Sequence, residues 1–399
     1  PVQQKEKGEE KLKAIGHDCE KCEVIIMGAT FNAFPVSYQN EFVKRAFDGF
    51  NKSNSLDLAT SQEKNETAKH RVIGLTFETR PDWLASGKEV EKLLKFGATR
   101  IELGVQSLDD KILEKVQRGH GIRETINATA LCKDAFLKVC YHFMPGLFST
   151  PEKDVEMFSK LFSNENFRPD MLKIYPCLVV PGTPLYEMWK KGEFTPYNSE
   201  QAADVISHCK KFVPPWCRIM RVDRDIPTNL IAAGVKQSNL RELAQEKCKE
   251  YGITCQCIRC REVGLKSRFA NVPKVQEAKL KRIDYTASGG EEVFLSFEAK
   301  NTLFGFCRLR KPGKPFIREI TSDTCGIREL HVYGEEASIG ETGKIQHHGL
   351  GKKLLVEAEK IAVEEFDAKK LLVISGIGAR EYYRKLGFEK TGFYMGKKL

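Results

Sequence analysis

Ile101-Glu102-Leu103-Gly104-Val105, leading straight into Gln106-Ser107, sets the reading of residues 1–230. The run is short and apolar and ends on polar groups, which suits a buried strand better than a helix. Five others resemble it: Val24-Ile25-Ile26-Met27, Val72-Ile73-Gly74-Leu75, Val139-Cys140-Tyr141-His142, Leu172-Lys173-Ile174-Tyr175 and Ile219-Met220-Arg221-Val222. A loop with Gly or Pro and then a helical stretch follow each run, and amphipathic segments such as 84–96 and 122–135 lie between them. Strands alternating with helices in this way predict β/α units around a parallel sheet, an α/β fold. Ligands of such sheets gather beyond the C-terminal ends of the strands. The residues just past each run are therefore site candidates: Gly28-Ala29-Thr30, Glu78-Thr79-Arg80-Pro81, Gln106-Ser107, Met144-Pro145-Gly146 and Arg224-Asp225-Ile226-Pro227. The polar segment from Asn51 to Lys69 is expected to be a loop.

From about Lys274 the pattern becomes antiparallel. Segments 293–299 and 303–309 flank a short polar turn, and 327–332 reads as another strand. A long helix over 349–366, a strand at 370–374, a short helix near 379–386 and a closing strand pair complete the pattern. Three regions follow: a β/α domain at 1–235, a basic, cysteine-rich linker at 236–273 and a second domain at 274–399. The 399 residues carry a net charge of +10, and 236–282 alone hold 12 Lys/Arg against 5 Asp/Glu. Such a local excess attracts a polyanion through counterion release, although a solvated basic surface has the same signature. No apolar run approaches the roughly 18 to 20 residues that cross a bilayer, which excludes membrane insertion. Thirteen cysteines scattered through a lysine-rich chain without a secretion signal predict a reducing, cytoplasmic setting, in which clustered cysteines read as metal sites before disulfides. The chain opens on Pro1 without Met or a signal sequence, so its true N-terminus is expected to be missing.

Gln346-His347-His348-Gly349-Leu350-Gly351 stands at the start of the long helix. Backbone N–H groups at a helix N-terminus bind anions, and glycines allow a pyrophosphate to approach closely. This Q-x-x-G-x-G resembles the acetyl-CoA pyrophosphate loop of the Gcn5-related N-acetyltransferases (GNAT). Arg380-Glu381-Tyr382-Tyr383-Arg384-Lys385-Leu386-Gly387-Phe388 resembles that family's last helix and the turn after it. The resemblance implies a tyrosine near the thioester sulfur, Tyr382 or Tyr383, able to protonate the departing thiolate.

Cys255, Cys257 and Cys260 form C-x-C-x-x-C, three thiols suited to tetrahedral zinc. The fourth ligand is left open among Cys209, Cys217, Cys248 and His208. Arg259, Arg261, Lys266 and Arg268 are interleaved with or follow the thiols, so zinc would fix a basic loop suited to RNA phosphates.

The first domain resembles the radical S-adenosylmethionine fold, a partial (β/α) barrel. There Gly28-Ala29-Thr30 matches the glycine-rich strand end that meets the methionine moiety. That superfamily holds a [4Fe-4S] cluster through three cysteines of one loop after the first strand. No such loop follows Val24–Met27, and Cys19-Glu20-Lys21-Cys22 precedes the strand, so those two cysteines are read as structural or incidental. Phe77-Glu78-Thr79-Arg80-Pro81-Asp82-Trp83, Glu102-Leu103-Gly104-Val105-Gln106-Ser107, Arg118-Gly119-His120-Gly121, Tyr141-His142-Phe143-Met144-Pro145-Gly146 and Cys260-Arg261-Glu262-Val263-Gly264 extend the likeness over nearly the whole chain. They resemble the family of Elongator catalytic subunits, which joins both domains through a zinc-bearing linker.

That resemblance implies an enzyme that uses acetyl-CoA and S-adenosylmethionine to place a carboxymethyl group on carbon 5 of the tRNA wobble uridine, with tRNA-stimulated acetyl-CoA hydrolysis. It places the cluster cysteines and a tRNA-binding extension ahead of Pro1. Glu78, Arg80 and Gln106 would line the S-adenosylmethionine and uridine cleft, and Gln346 to Gly351 would hold acetyl-CoA. tRNA is the expected partner, along with a homodimer mate or accessory subunits. Two rival readings are a protein lysine acetyltransferase, which the basic linker disfavours because it would repel a lysine-rich tail, and a non-enzymatic tRNA-binding scaffold.

Overall fold

Six short strands build a parallel wall: β1 (Lys21–Ile26), β2 (Arg71–Thr79), β3 (Arg100–Gln106), β4 (Lys138–Phe143), β5 (Met171–Ile174) and β6 (Arg218–Val222). They lie in the order in which the chain makes them, and every adjacent pair is parallel. A strand order without reversal keeps the crossover helices on one face and curves the wall into a half-barrel. This computed structural model describes residues 2–14, 19–28, 30–224, 226–267, 271–333 and 349–399. Ala29, Arg268, Gln346, His347 and His348 lie outside the described residues.

The crossover helices start where their caps direct. Ser86 and Glu89 form a reciprocal capping box for Gly87–Lys95, and Asp109, Thr150 and Asn198 cap Asp110–Lys115, Pro151–Ser163 and Ser199–Lys210. On β3, Ile101, Leu103 and Val105 are fully buried in the main apolar core with Leu93, Leu94 and Phe96, while Arg100, Glu102, Gly104 and Gln106 alternate onto the other face. The inner wall is thus polar because of strand period alone.

The expected loop at 51–69 is instead partly a helix, Leu58–Thr67, capped by Asp57. Its polarity misled because the face that packs on the fold is itself polar, with Ser61, Asn65 and Glu66 buried. Asn65 donates to the His70 carbonyl and to Asn51 Oδ1 and accepts from the Val72 N–H. Cys19 and Cys22 lie at the N-terminal end of β1, where Cys22 Sγ donates to the Cys19 carbonyl.

The second sheet holds β7 (Lys279–Ala287), β8 (Gly290–Ala299), β9 (Thr302–Lys311), β10 (Thr324–Val332), β11 (Lys370–Val373), β12 (Glu389–Thr391) and β13 (Tyr394–Lys398), in the order β12-β13-β11-β10-β9-β8-β7. Tight two-residue turns join β7 to β8 and β8 to β9, with Ser288-Gly289 and Lys300-Asn301 all at positive φ, the conformation that such hairpins require. Only β10 and β11 are parallel, and they pair over Thr324–Ile327 alone. Beyond Ile327, β10 continues along β9 to Val332 after β11 has left it, so the sheet splays open there. The helix Leu350–Glu364 makes the crossover.

A fully buried ionic group joins the two sheets. Arg328 donates to Asp170 Oδ2 at 2.5 Å and to Glu292 Oε1 at 2.9 Å, and Arg310 bridges Glu292 and Asp134. Lys133 lies 3.3 Å from Asp170 and 3.5 Å from Glu292. Burial pushes the Lys133 ammonium down to about 8 despite these acids. Charges this deep persist because each has a partner.

Candidate active sites and linker

At the C-terminal end of the half-barrel, a chain of polar groups crosses four strands. Glu102 on β3 meets His142 Nε2 of β4 at 2.8 Å and ion-pairs with Lys173 of β5, whose ammonium also lies 3.4 Å from Glu78 at the end of β2. Burial alone would raise the Glu102 carboxyl, but the His142 hydrogen bond and the Lys173 and Arg100 charges hold it down at about 2. Glu102 is therefore a fixed anion with its cations already in place.

Gln106 ends β3 with φ 67°, a left-handed backbone that non-glycine residues rarely adopt, and its Oε1 is buried with no partner among the described residues. A Cβ at Gly104 would fall 2.4 Å from Arg118 Nη2 and 3.1 Å from Gln106 Nε2, so glycine there admits both side chains. Arg80 pairs with Asp82 beside them, and both ring nitrogens of buried His120 lack partners among the described residues. Burial and the neighbouring Arg118 hold His120 below the usual histidine range, that is, neutral. The loop after β1, which carries Gly28 and Thr30, is tied to the end of β2: Thr79 donates to Asn32 Oδ1, and Asn32 donates to the Trp83 carbonyl. Orphaned amide and imidazole atoms at a strand-end cleft fit a polar cofactor and substrate. Glu78, Arg80 and Gln106 stand here as the sequence predicts, whereas Arg118, His120, His142 and Lys173 are site residues that the sequence does not single out, although Arg118-Gly119-His120-Gly121 and Tyr141-His142 lie in motifs that carry the family resemblance. Among the described residues no cysteine trio stands at this end.

In the second domain the two motifs meet. Gly349 caps the helix at φ 74°, and a Cβ on Gly351 would lie 3.0 Å from the Tyr382 hydroxyl and 3.7 Å from Val332. The helix N-terminus, the end of β10 beyond the splay and Tyr382 thus surround one opening, with Leu350 buried at its base. Tyr382 is 44% exposed, whereas Tyr383 is 7% exposed and packs on Phe388 in the core. Burial raises both phenols, so each stays protonated near neutrality.

The Sγ atoms of Cys255, Cys257 and Cys260 all lie within 4.8 Å of one another, positioned by a short helical turn on which Cys260 N–H donates to the Cys257 carbonyl. Hydrogen bonds from Cys255 and Cys260 draw Cys257 toward the thiolate. Three convergent soft thiols fit zinc. Among the described residues none of Cys209, Cys217, Cys248 and His208 joins them. Arg261 departs from its expected role in RNA binding. It is 1% exposed, ion-paired with Glu298 at 2.5 Å and bonded to the Pro215 and Gln256 carbonyls, so it braces the linker against β8. Lys266 donates to the Asn301 carbonyl at 2.7 Å, and Arg259 has no carboxylate partner among the described residues.

Family models for the radical SAM superfamily, the Radical_SAM C-terminal domain and the acetyltransferase (GNAT) family match residues 4–162, 169–250 and 265–388. A parallel half-barrel of radical S-adenosylmethionine type fused to a GNAT domain is the class that fold and sites define. The chain is 52% identical over 397 residues to the tRNA uridine(34) acetyltransferase of Methanocaldococcus infernus, spanning 98% of this chain and 74% of that protein. Elongator complex protein 3 of Saccharomyces cerevisiae is 42% identical over 410 residues, covering 100% of this chain and 73% of its own length. The solved structure of M. infernus Elp3 with residues 1–46 deleted superposes with a TM-score of 0.96 at 51% identity, over 100% of this chain and 95% of that one. This chain belongs to the Elongator protein 3 family.

Proposed function

We propose that this chain modifies the wobble uridine of tRNA, using acetyl-CoA as the carbon source and S-adenosylmethionine radical chemistry to leave a carboxymethyl group at carbon 5, with acetyl-CoA hydrolysis stimulated by tRNA. The observation that carries the reading is the meeting of Gly351 with the Tyr382 hydroxyl, in a chain that also has an orphaned polar cleft at the end of its half-barrel. Gln346, His347, His348, Gly349, Leu350 and Gly351 hold the coenzyme pyrophosphate. Tyr382 rather than Tyr383 gives its proton to the thiolate as the acyl carbon–sulfur bond breaks, because Tyr382 reaches the opening and Tyr383 does not.

Bound S-adenosylmethionine with a [4Fe-4S] cluster would supply a 5'-deoxyadenosyl radical. The chain's own part is to orient. Gly28, Thr30, Arg80 and Gln106 line the cofactor rim, and Glu78, held by Lys173, faces the uridine. Cys255, Cys257 and Cys260 hold one structural zinc, which fixes the linker between a domain at 1–235 and one at 274–399. The name of the M. infernus relative supports the tRNA uridine(34) substrate. The test is acetyl-CoA turnover with and without tRNA. Stimulation by tRNA and none by a histone peptide is expected, and turnover that follows the peptide instead would replace this reading with a lysine acetyltransferase.

A further inference from the structure

A pocket of about 710 Å3 opens between the linker and the second sheet. Arg241, Arg259, Lys266, Lys274 and Lys300 line it, against only two acids, Glu242 and Glu277. Glu277 is already engaged: one oxygen lies 3.2 Å from Lys300 and the other accepts the Lys274 N–H at 2.8 Å. Lys266 is occupied with the Asn301 carbonyl. The two arginines remain. Among the described residues, Arg241 Nη1 is buried with no acceptor, and the guanidinium's one hydrogen bond is a long 3.4 Å contact from Nη2 to the Ile219 carbonyl. Arg259 stands close enough that its charge, after burial, helps destabilise the Arg241 cation, an effect that the nearby Cys257 and Cys260 sulfurs only partly offset.

Two neighbouring guanidiniums without a carboxylate are costly in a folded protein unless an anion completes them. Planar donor forks suit an anion with several oxygens, and phosphate, reached bidentately, is the best match. The surrounding excess of positive charge favours a ligand bearing phosphates in series. We propose that Arg241 and Arg259 form a subsite for one backbone phosphate of tRNA, with Lys274 and Lys300 beside the neighbouring phosphate. This rests on the tRNA reading above and gives it a location in which Arg241 takes the place that sequence reasoning gave to Arg261.

The test compares wild type, Arg241→Gln, Arg259→Gln and Arg259→Lys in the full chain, measuring tRNA affinity by gel shift at several salt concentrations, zinc content, and affinity for coenzyme A and its 3'-dephospho form. Each Gln variant should weaken tRNA binding on the order of tenfold and flatten the salt slope by about one unit, as loss of a phosphate contact does. Arg259→Lys should keep the slope and still lose affinity, because charge survives and the fork does not. Zinc content should be unchanged. Loss of discrimination between coenzyme A and its dephospho form, with tRNA binding intact, would assign the phosphate to the coenzyme and overturn the RNA source. Loss of zinc in Arg241→Gln with unchanged tRNA binding would reassign Arg241 to the thiolates. Wild-type affinity and slope in both Gln variants would remove the subsite, whereas a wild type that binds no tRNA would instead defeat the underlying reading.

Discussion

Two charged clusters in this molecule are built on opposite principles. Around Asp170 and Glu292, and again around Glu102, every acid meets arginine or lysine within the fold, and the pairs are buried. In the linker pocket no carboxylate pairs with Arg241 or Arg259 among the described residues, and the lining acid Glu277 is engaged by Lys300. The first arrangement is complete in charge, although Arg308 Nη1 and Nη2, Arg328 Nε and Arg100 Nη2 still lack acceptors among the described residues, and it serves to hold two sheets and four strands in register. The second is incomplete in charge, because no carboxylate pairs with its arginines, and it is there that we place the incoming phosphate. Both regions hold several arginines and lysines, so pairing with acids rather than positive charge alone separates structure from binding.

The largest effect should come from breaking a complete cluster. Asp170→Asn leaves Arg328 and Lys133 buried beside one less anion, and loss of one partner of a buried pair costs about 3–5 kcal/mol. Thermal denaturation should show a large drop in midpoint, and an Asp170→Asn protein as stable as wild type would show the two sheets to be held by apolar packing alone.

Glu102 offers the same contrast through pH. Its carboxyl sits at about 2 in the fold, below its ordinary value of 4.5, so its pairing stabilises the protein above 4.5 and is lost as pH falls from there toward 2. Glu102→Gln should remove that acid-sensitive portion of the stability curve while strand content, read by circular dichroism, is retained. An unchanged acid limb in the variant would mean that other carboxylates control it.

In the second domain, Gly349→Glu with Gly351→Glu should abolish acetyl-CoA binding by calorimetry, with circular dichroism reporting that the fold is kept, since a side chain at Gly351 would fall 3.0 Å from the Tyr382 hydroxyl and one at Gly349, although it meets open space, strains only the local backbone at φ 74°. Tyr382→Phe should instead lower turnover on the order of a hundredfold with coenzyme affinity nearly kept, the signature of a lost proton donor. Tyr383→Phe should change turnover little. Reversal of the two tyrosines would move the acid to the core-facing ring.

Much of this was legible in the sequence because strand period and helix caps are local. Ile101, Leu103 and Val105 alternate with Glu102 and Gly104, and that alone made β3 two-faced. What escaped depends on partners distant in sequence. Nothing near Arg261 announces Glu298, and nothing near Asn65 and Glu66 announces that the polar segment folds as a helix whose Glu66 grips Arg380 and Arg384 of the second domain. The choice between Tyr382 and Tyr383 escaped for a similar reason, because adjacent residues on a five-residue helix point apart and only the tertiary fold says which way is out.

The smallest effect should come from a pair that resembles the buried ones in geometry but not in setting. Lys397 Nζ lies 2.9 Å from both carboxylate oxygens of Glu359, on side chains 31% and 20% exposed, between β13 and the helix 350–364. Water competes for both groups, and holding two long side chains in one geometry costs entropy, so such pairs contribute about 0.2–1 kcal/mol. Glu359→Gln should therefore shift the denaturation midpoint by a small amount that disappears at high salt, where mobile ions screen what the pair gained. The Asp170→Asn loss should persist at the same salt concentration, because ions do not enter the buried cluster. If both losses fade together, the Asp170 site is wet, and the distinction between complete and incomplete clusters has to be drawn from solvent access rather than from pairing.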